Sequence, residues 1–213
     1  MSKALIIDAG VGNLGNLVRA LDRIGGAGAE ISLDPARIAE ARCLLLPGVG
    51  AFSPPRRALR GPIEEALHAA LDRGAFLLGI CVGFQLLFES GEEFETLDGL
   101  GLLTGRVTRL PQGVPVPHIG WNRLHDLADH PLLAGLVTGG GWGEFVYFVH
   151  SYAPEGVPEE SRLALCTHGR AFPAIAGRGR VMGTQFHPER SGEAGLRLLS
   201  NFLEMAHGSA AGD

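Results

Sequence analysis

The sequence predicts an α/β fold: a mixed, largely parallel central sheet flanked by helices on both faces. Three observations lead there. The stretches ALIID (residues 4–8), CLLL (43–46) and AFLLGI (75–80) are short, continuous apolar runs, as expected of parallel strands buried on both sides. Between them, apolar residues recur at helical spacing. Beyond residue 100 prolines interrupt the pattern and strand-like runs dominate, which adds an antiparallel portion.

Each element has a local cause. After ALIID, the residues Leu14, Leu17, Val18, Leu21 and Ile24 form one helical stripe, closed by the pair of glycines at 25–26. Residues 30–33 read as a second strand. Asp34 followed by Pro35 is a helix N-cap with proline at the first helical position. CLLL runs into PGVG. Ile63, Ala66, Leu67, Ala70 and Leu71 make another amphipathic helix, ended near Gly74. AFLLGI then delivers Cys81. In the second half, residues 102–110, 144–152 and 162–167 read as strands and 171–186 as a hairpin. Leu196, Leu199, Phe202 and Leu203 mark a closing helix. Residues 1–207 are expected to form a single domain, with 208–213 (GSAAGD) as a disordered tail.

Composition narrows the class. The 213 residues are 46% hydrophobic and carry a formal net charge of −5. That balance, with no Lys/Arg block, does not fit an electrostatic nucleic-acid binder. The three cysteines, Cys43, Cys81 and Cys166, are widely spaced with no CxxC, so neither a disulfide framework nor a structural zinc site is indicated. The scattered histidines show no ligand spacing, and no metal or other cofactor is expected. No stretch reaches the roughly 18 apolar residues of a membrane span. The expectation is a cytoplasmic protein.

Three motifs carry chemistry. GICVGFQ (79–85) places a cysteine between glycines just after a buried strand. This is the setting of a nucleophile elbow, with cysteine where serine often stands and a helix N-terminus behind it. Taken alone, it is balanced by the reading of Cys81 as a small core residue. QFHPE (185–189) sets His187 two residues before Glu189. In an extended segment both point to one side, which suits a base and its orienting carboxylate. PGVGAF (47–52) is a glycine-containing turn at a strand end, able to aim backbone N–H groups at an oxyanion. A fourth motif, GVGNLG (10–15), fits a dinucleotide fingerprint with Glu30 or Asp34 as the distant acid, but that reading leaves the other three motifs without work.

Taken together, PGVGAF, GICVGFQ and QFHPE resemble the triad-type (class I) glutamine amidotransferases. IDAGVGNLGN, FESGEE, HIGWN and YFVHSY narrow the likeness to the glutaminase subunits of imidazole glycerol phosphate synthases, over nearly the whole chain. The resemblance implies glutamine as substrate and a catalytic triad of Cys81, His187 and Glu189. It implies an oxyanion hole from Val49, Gly50 and Val82, and substrate contacts from Gly48, Gln85, Glu93, Ser151 and Tyr152. It implies a heterodimer with a (β/α)₈-barrel synthase subunit that takes up the ammonia, contacted by Gly10, Asn13, Asn16, Trp121, Asn122, Tyr147 and Arg190. Ala9, Phe84 and Arg190 depart from the family's usual bulkier residue, methionine and lysine. Another triad amidotransferase, a stand-alone γ-glutamyl hydrolase and a dinucleotide-binding module are the alternatives.

Overall fold

A computed structural model describes residues 3–10, 14–25 and 28–208. Its first half alternates strand and helix: β1 (Leu5–Ile7), α1 (Leu14–Arg23), β2 (Glu30–Ser32), α2 (Pro35–Glu40), β3 (Cys43–Gly48), α3 (Ser53–Leu59), α4 (Pro62–Asp72), β4 (Phe76–Cys81) and α5 (Val82–Gln85). The second half holds β5 (Ser90–Gly91), β6 (Leu97–Asp98), β7 (Arg106–Arg109), β8 (His118–Arg123), β9 (Phe145–His150), β10 (Tyr152–Glu155), β11 (Arg162–His168), β12 (Arg170–Arg178), β13 (Val181–Thr184) and α6 (Gly192–Gly208).

The main sheet runs β11-β12-β13-β4-β3-β1-β2. From β2 to β13 every pairing is parallel; β12 and β11 extend the sheet antiparallel. This is the expected mixed, largely parallel sheet. β3 and β4 are buried at every residue, which explains their unbroken apolar sequence. Helices α1 and α6 pack against each other, while α2 and α3 pack on α4. A smaller sheet, β10-β7-β5-β6, and the ribbon β8-β9 complete the fold.

Asp34 caps α2 as its sequence predicts, accepting from the Ala36 N–H at 2.9 Å. Helix α3 was not expected, because SPPRRAL has two prolines and no apolar stripe. A buried arginine holds it. Arg56 donates to both carboxylate oxygens of Glu64 (2.8 and 2.9 Å) and to the Asp98 carbonyl (2.7 Å). The strand expected over 102–110 shrinks to β7. The preceding leucines serve another end: the Leu100 N–H bonds to the Leu86 carbonyl, and Leu102 and Leu103 bond to Leu87. They satisfy carbonyls left open where the short helix α5 stops. Of the expected tail, only Gly208 lies within the described residues. Among those residues no helix is long and apolar enough to cross a membrane.

Candidate active site

Three adjacent parallel strands end side by side, and each delivers one motif. β3 ends at Gly48, which pairs with Cys81 at the end of β4; β13 ends at Thr184, opposite Ile80. PGVG, the cysteine and QFHPE therefore converge at the carboxyl edge of the sheet, where ligands of open α/β sheets bind.

Cys81 occupies a sharp turn with φ 55° and ψ −107°, a strained conformation for a non-glycine residue. The turn exists because its neighbours lack side chains. A Cβ on Gly83 would stand 1.7 Å from the Leu46 carbonyl oxygen, and one on Gly48 would stand 2.9 Å from the Gly83 nitrogen. The helix that follows has only four residues. The expected contribution of a helix dipole is thereby reduced to that of local N–H groups.

His187 is 3% exposed, and its Nδ1 lies 2.8 Å from Glu189 Oε1. The expected extended alternation is not how they meet. His187 is extended (φ −97°, ψ 99°), but Pro188–Arg190 forms a 3₁₀ turn that folds Glu189 back beneath the ring. The turn is fixed by Ser191, whose hydroxyl donates to the His187 carbonyl at 2.6 Å and accepts from the Tyr147 N–H at 2.9 Å. Burial alone would favour the neutral imidazole. The Cys81 sulfur and the Glu189 carboxylate outweigh it and raise the His187 pKa to about 10. By contrast, burial pushes the thiols of Cys43 and Cys166 up to about 12, so neither is a nucleophile at neutral pH. Among the described residues, His187 Nε2 and Glu189 Oε2 are buried with no hydrogen-bond partner in the chain.

Cys81 and His187 line one cleft of about 220 Å³ with Val49, Gly50, Val82, Gln85, Glu93, Pro117, Val149, His150, Ser151 and Tyr152. That size suits a single small metabolite. A wider surface cleft of about 450 Å³, between Arg23, Glu144, Glu193 and Arg197, contains no cysteine. Among the described residues no group of three or more His, Cys, Asp or Glu side chains is placed to hold a metal ion.

The sequence profile described as glutamine amidotransferase class-I matches residues 5–206. The chain belongs to this family. It is 47% identical over 206 residues to an imidazole glycerol phosphate synthase subunit HisH from Symbiobacterium thermophilum, covering 96% of this chain and 95% of that one. A HisH subunit from Methanosarcina barkeri is 43% identical, covering 96% of this chain and all of the other. These identities place the chain among the HisH-type amidotransferases. Its fold is also that of a solved glutamine amidotransferase at a TM-score of 0.73 and 23% identity, covering 95% of this chain and 98% of that one.

Within this amidotransferase fold most of the anticipated residues meet. Val49, Gly50 (φ 85°) and Val82 stand together at the cleft, as do Gln85, Glu93, Ser151 and Tyr152. Glu93 Oε2 accepts from the Phe52 N–H at 2.8 Å, tying FESGEE to PGVGAF. Gly48 pairs with Cys81 at the end of β3, and its missing side chain lets β3 pass close beneath the elbow. At the end of the turn after His187, the Arg190 guanidinium lies 4.1 Å above the Tyr147 ring, and Trp121 meets Tyr147 edge-on. Trp121 is 56% exposed. The Asn122 amide turns inward and donates to the Thr167 carbonyl at 3.0 Å. Gly10 is exposed with its N–H on Asp8, Asn16 accepts from Arg19, and Asn13 lies outside the described residues. Two polar neighbours of the site, His150 and Gln185, were not singled out from the sequence. Each sits inside a motif already noted, YFVHSY and QFHPE, and only the fold brings it to the cysteine.

Proposed function

We propose that the chain hydrolyses glutamine to glutamate and ammonia through a Cys81 thioester. As the glutaminase subunit of an imidazole glycerol phosphate synthase, acting in histidine biosynthesis, it passes the ammonia to a (β/α)₈-barrel synthase partner in a heterodimer. The observation that carries the reading is Cys81 at a strained elbow, sharing a cleft with the 2.8 Å His187–Glu189 pair.

The geometry supports a sequence of steps. Cys81 attacks the side-chain amide carbon, and the oxyanion is held by the Val82 N–H and by the Val49–Gly50 backbone. His187 takes the thiol proton through Nε2 and gives it to the leaving nitrogen, so ammonia departs as the C–N bond breaks and the thioester remains. His187 next draws a proton from water, which attacks the thioester and frees glutamate and the thiol. Glu189 keeps Nε2 aimed and stabilises the imidazolium. Glu93, Ser151 and Tyr152 hold the amino-acid end of glutamine. Trp121, Tyr147 and Arg190 would meet the partner, together with Gly10, Asn16 and Asn122; Asn13, anticipated as a further contact, lies outside the described residues.

Glutamate release from glutamine tests this, measured for the chain alone and with the barrel subunit and its nucleotide ligand. Weak activity alone and strong stimulation in the complex are expected. Cys81→Ala is expected to abolish glutamine-dependent synthesis and spare synthesis from added ammonium. Full activity of the isolated chain would instead identify a stand-alone γ-glutamyl hydrolase.

A further inference from the structure

A line of hydrogen bonds runs through the protein behind the cleft, and its direction can be worked out bond by bond. The Tyr152 carbonyl only accepts, so His150 Nδ1, 2.9 Å away, carries a proton. In the neutral ring His150 Nε2 is then an acceptor, and His118 Nδ1, at 3.0 Å, must be the donor to it. That leaves His118 Nε2 to accept from the Asn122 amide nitrogen at 3.3 Å. Asn122 gives its other amide hydrogen to the Thr167 carbonyl, while its Oδ1 accepts from the Arg123 N–H at 2.8 Å. One tautomer of each ring therefore satisfies every bond.

The Tyr152 carbonyl accepts a second bond, from Gln85 Nε2 at 2.9 Å, and that same nitrogen donates to Gln185 Oε1 at 3.2 Å. With both amide hydrogens committed, Gln85 offers a ligand only its carbonyl oxygen. With its oxygen taken, Gln185 must turn its amide N–H group towards Cys81, and its Nε2 lies 3.9 Å from the sulfur. Gln185 is completely buried, and His118 and His150 are 5% exposed.

We propose that Gln185 is a further catalytic residue, a hydrogen-bond donor to the Cys81 thiolate oriented by Gln85, and that His150 and His118 are positioning residues that hold the Tyr152 carbonyl on which Gln85 is anchored. The inference rests on the glutaminase reading above. It explains why two buried histidines adjoin the site without serving as bases. Burial holds His118 at about 4 and His150 at about 3, so both rings stay neutral and keep one donor and one acceptor each. His118 also stacks between Phe148 and His168, with centroids 4.8 and 4.1 Å away, which locks its plane.

The titratable groups around the sulfur are His187 with Glu189 from the turn after β13, His150 from β9, and Glu93 from the loop after β5. The test uses the chain in complex with its barrel partner and nucleotide ligand. One measurement is glutamate release; the other is the pH profile of Cys81 alkylation by iodoacetamide, read by peptide mass. Gln185→Met, close in shape but without a donor, is expected to lower kcat about tenfold, as for loss of a bond to a charged group. It should also move the alkylation midpoint to higher pH, and Gln185→Glu should move it further. A role in packing alone would leave that midpoint in place. His118→Phe retains the stacked ring and is expected to reduce kcat severalfold. His118→Asn, which restores an amide donor towards His150, should recover most of the loss. An unshifted midpoint in Gln185→Met, or His118→Asn no better than His118→Phe, overturns the inference. A silent wild-type complex would instead sink the glutaminase reading, and the alkylation profile would still decide this one.

Discussion

Cys81 is placed by close packing of backbone, whereas His187, which lines the same cleft, is placed by side-chain hydrogen bonds. Around the cysteine, glycines let β3 and the first turn of α5 approach within contact distance, and the chain is driven into a left-handed turn. Around the histidine, Glu189 and Ser191 hold a turn of ordinary backbone geometry. The difference teaches which changes should be all-or-none and which graded. A packed backbone has no intermediate positions, while a hydrogen-bonded ring loses one restraint at a time.

The largest effect should come from breaking the packed side. Gly83→Ala puts a methyl group into the Leu46 carbonyl. It is expected to cost more than about 3 kcal/mol of stability and to remove glutaminase activity altogether, as read by urea unfolding and glutamate release. A near-native urea midpoint would show that the elbow relaxes more easily than its contacts imply. On the hydrogen-bonded side, His187→Ala should reduce kcat by about 10³-fold or more. Glu189→Gln, which removes the charge but preserves the shape, should reduce it less; steady-state kinetics giving the reverse order would undo the two roles.

A smaller effect concerns acid stability. The folded-state pKa values of His118 and His150 lie below the ordinary 6.5. The unfolded chain therefore takes up protons first, and stability should fall as pH drops from 6.5 towards about 4. His168 faces both rings and His187 faces His150, and each adds to the repulsion. His118→Phe should make this acid slope shallower, measured as Tm against pH; an unchanged slope would assign the loss to other groups. The smallest effect is expected at Phe94, 89% exposed with φ 61°. Phe94→Gly should stabilise by about 1 kcal/mol with glutamate release unchanged, and a lowered Tm would reveal a role for the exposed ring.

The same contrast decides what could be read from the sequence. The packed side was legible: CLLL and AFLLGI announce buried parallel strands, and glycines flanking Cys81 announce the elbow. Those signals are local, since a continuous apolar run or a missing Cβ speaks for its own position. The hydrogen-bonded side was legible only where its members lie close in sequence. His187 and Glu189 were paired correctly, but the turn joining them was read as extended. Gln185 and Cys81 are 104 residues apart, as are the ends of no recognisable motif. Helix α3 escaped because Arg56 holds it through Glu64 and the Asp98 carbonyl, and a buried arginine reads in sequence as a surface one. The leucines at 100–103 read as a strand because apolarity alone does not say whether a run joins a sheet or closes the end of a short helix.

The loop Val49–Ala51 has a mechanical consequence of its own. Its upstream end is fixed where Gly48 pairs with Cys81, and its downstream end where the Phe52 N–H is held by Glu93. A span clamped at both ends cannot swing as a lid. The motion left to it is a crankshaft rotation of a peptide plane, with opposite changes in ψ of one residue and φ of the next, and Gly50 is the residue there that tolerates it. An oxyanion donor in this loop would thus be presented or withdrawn by turning in place, with no displacement of the chain on either side.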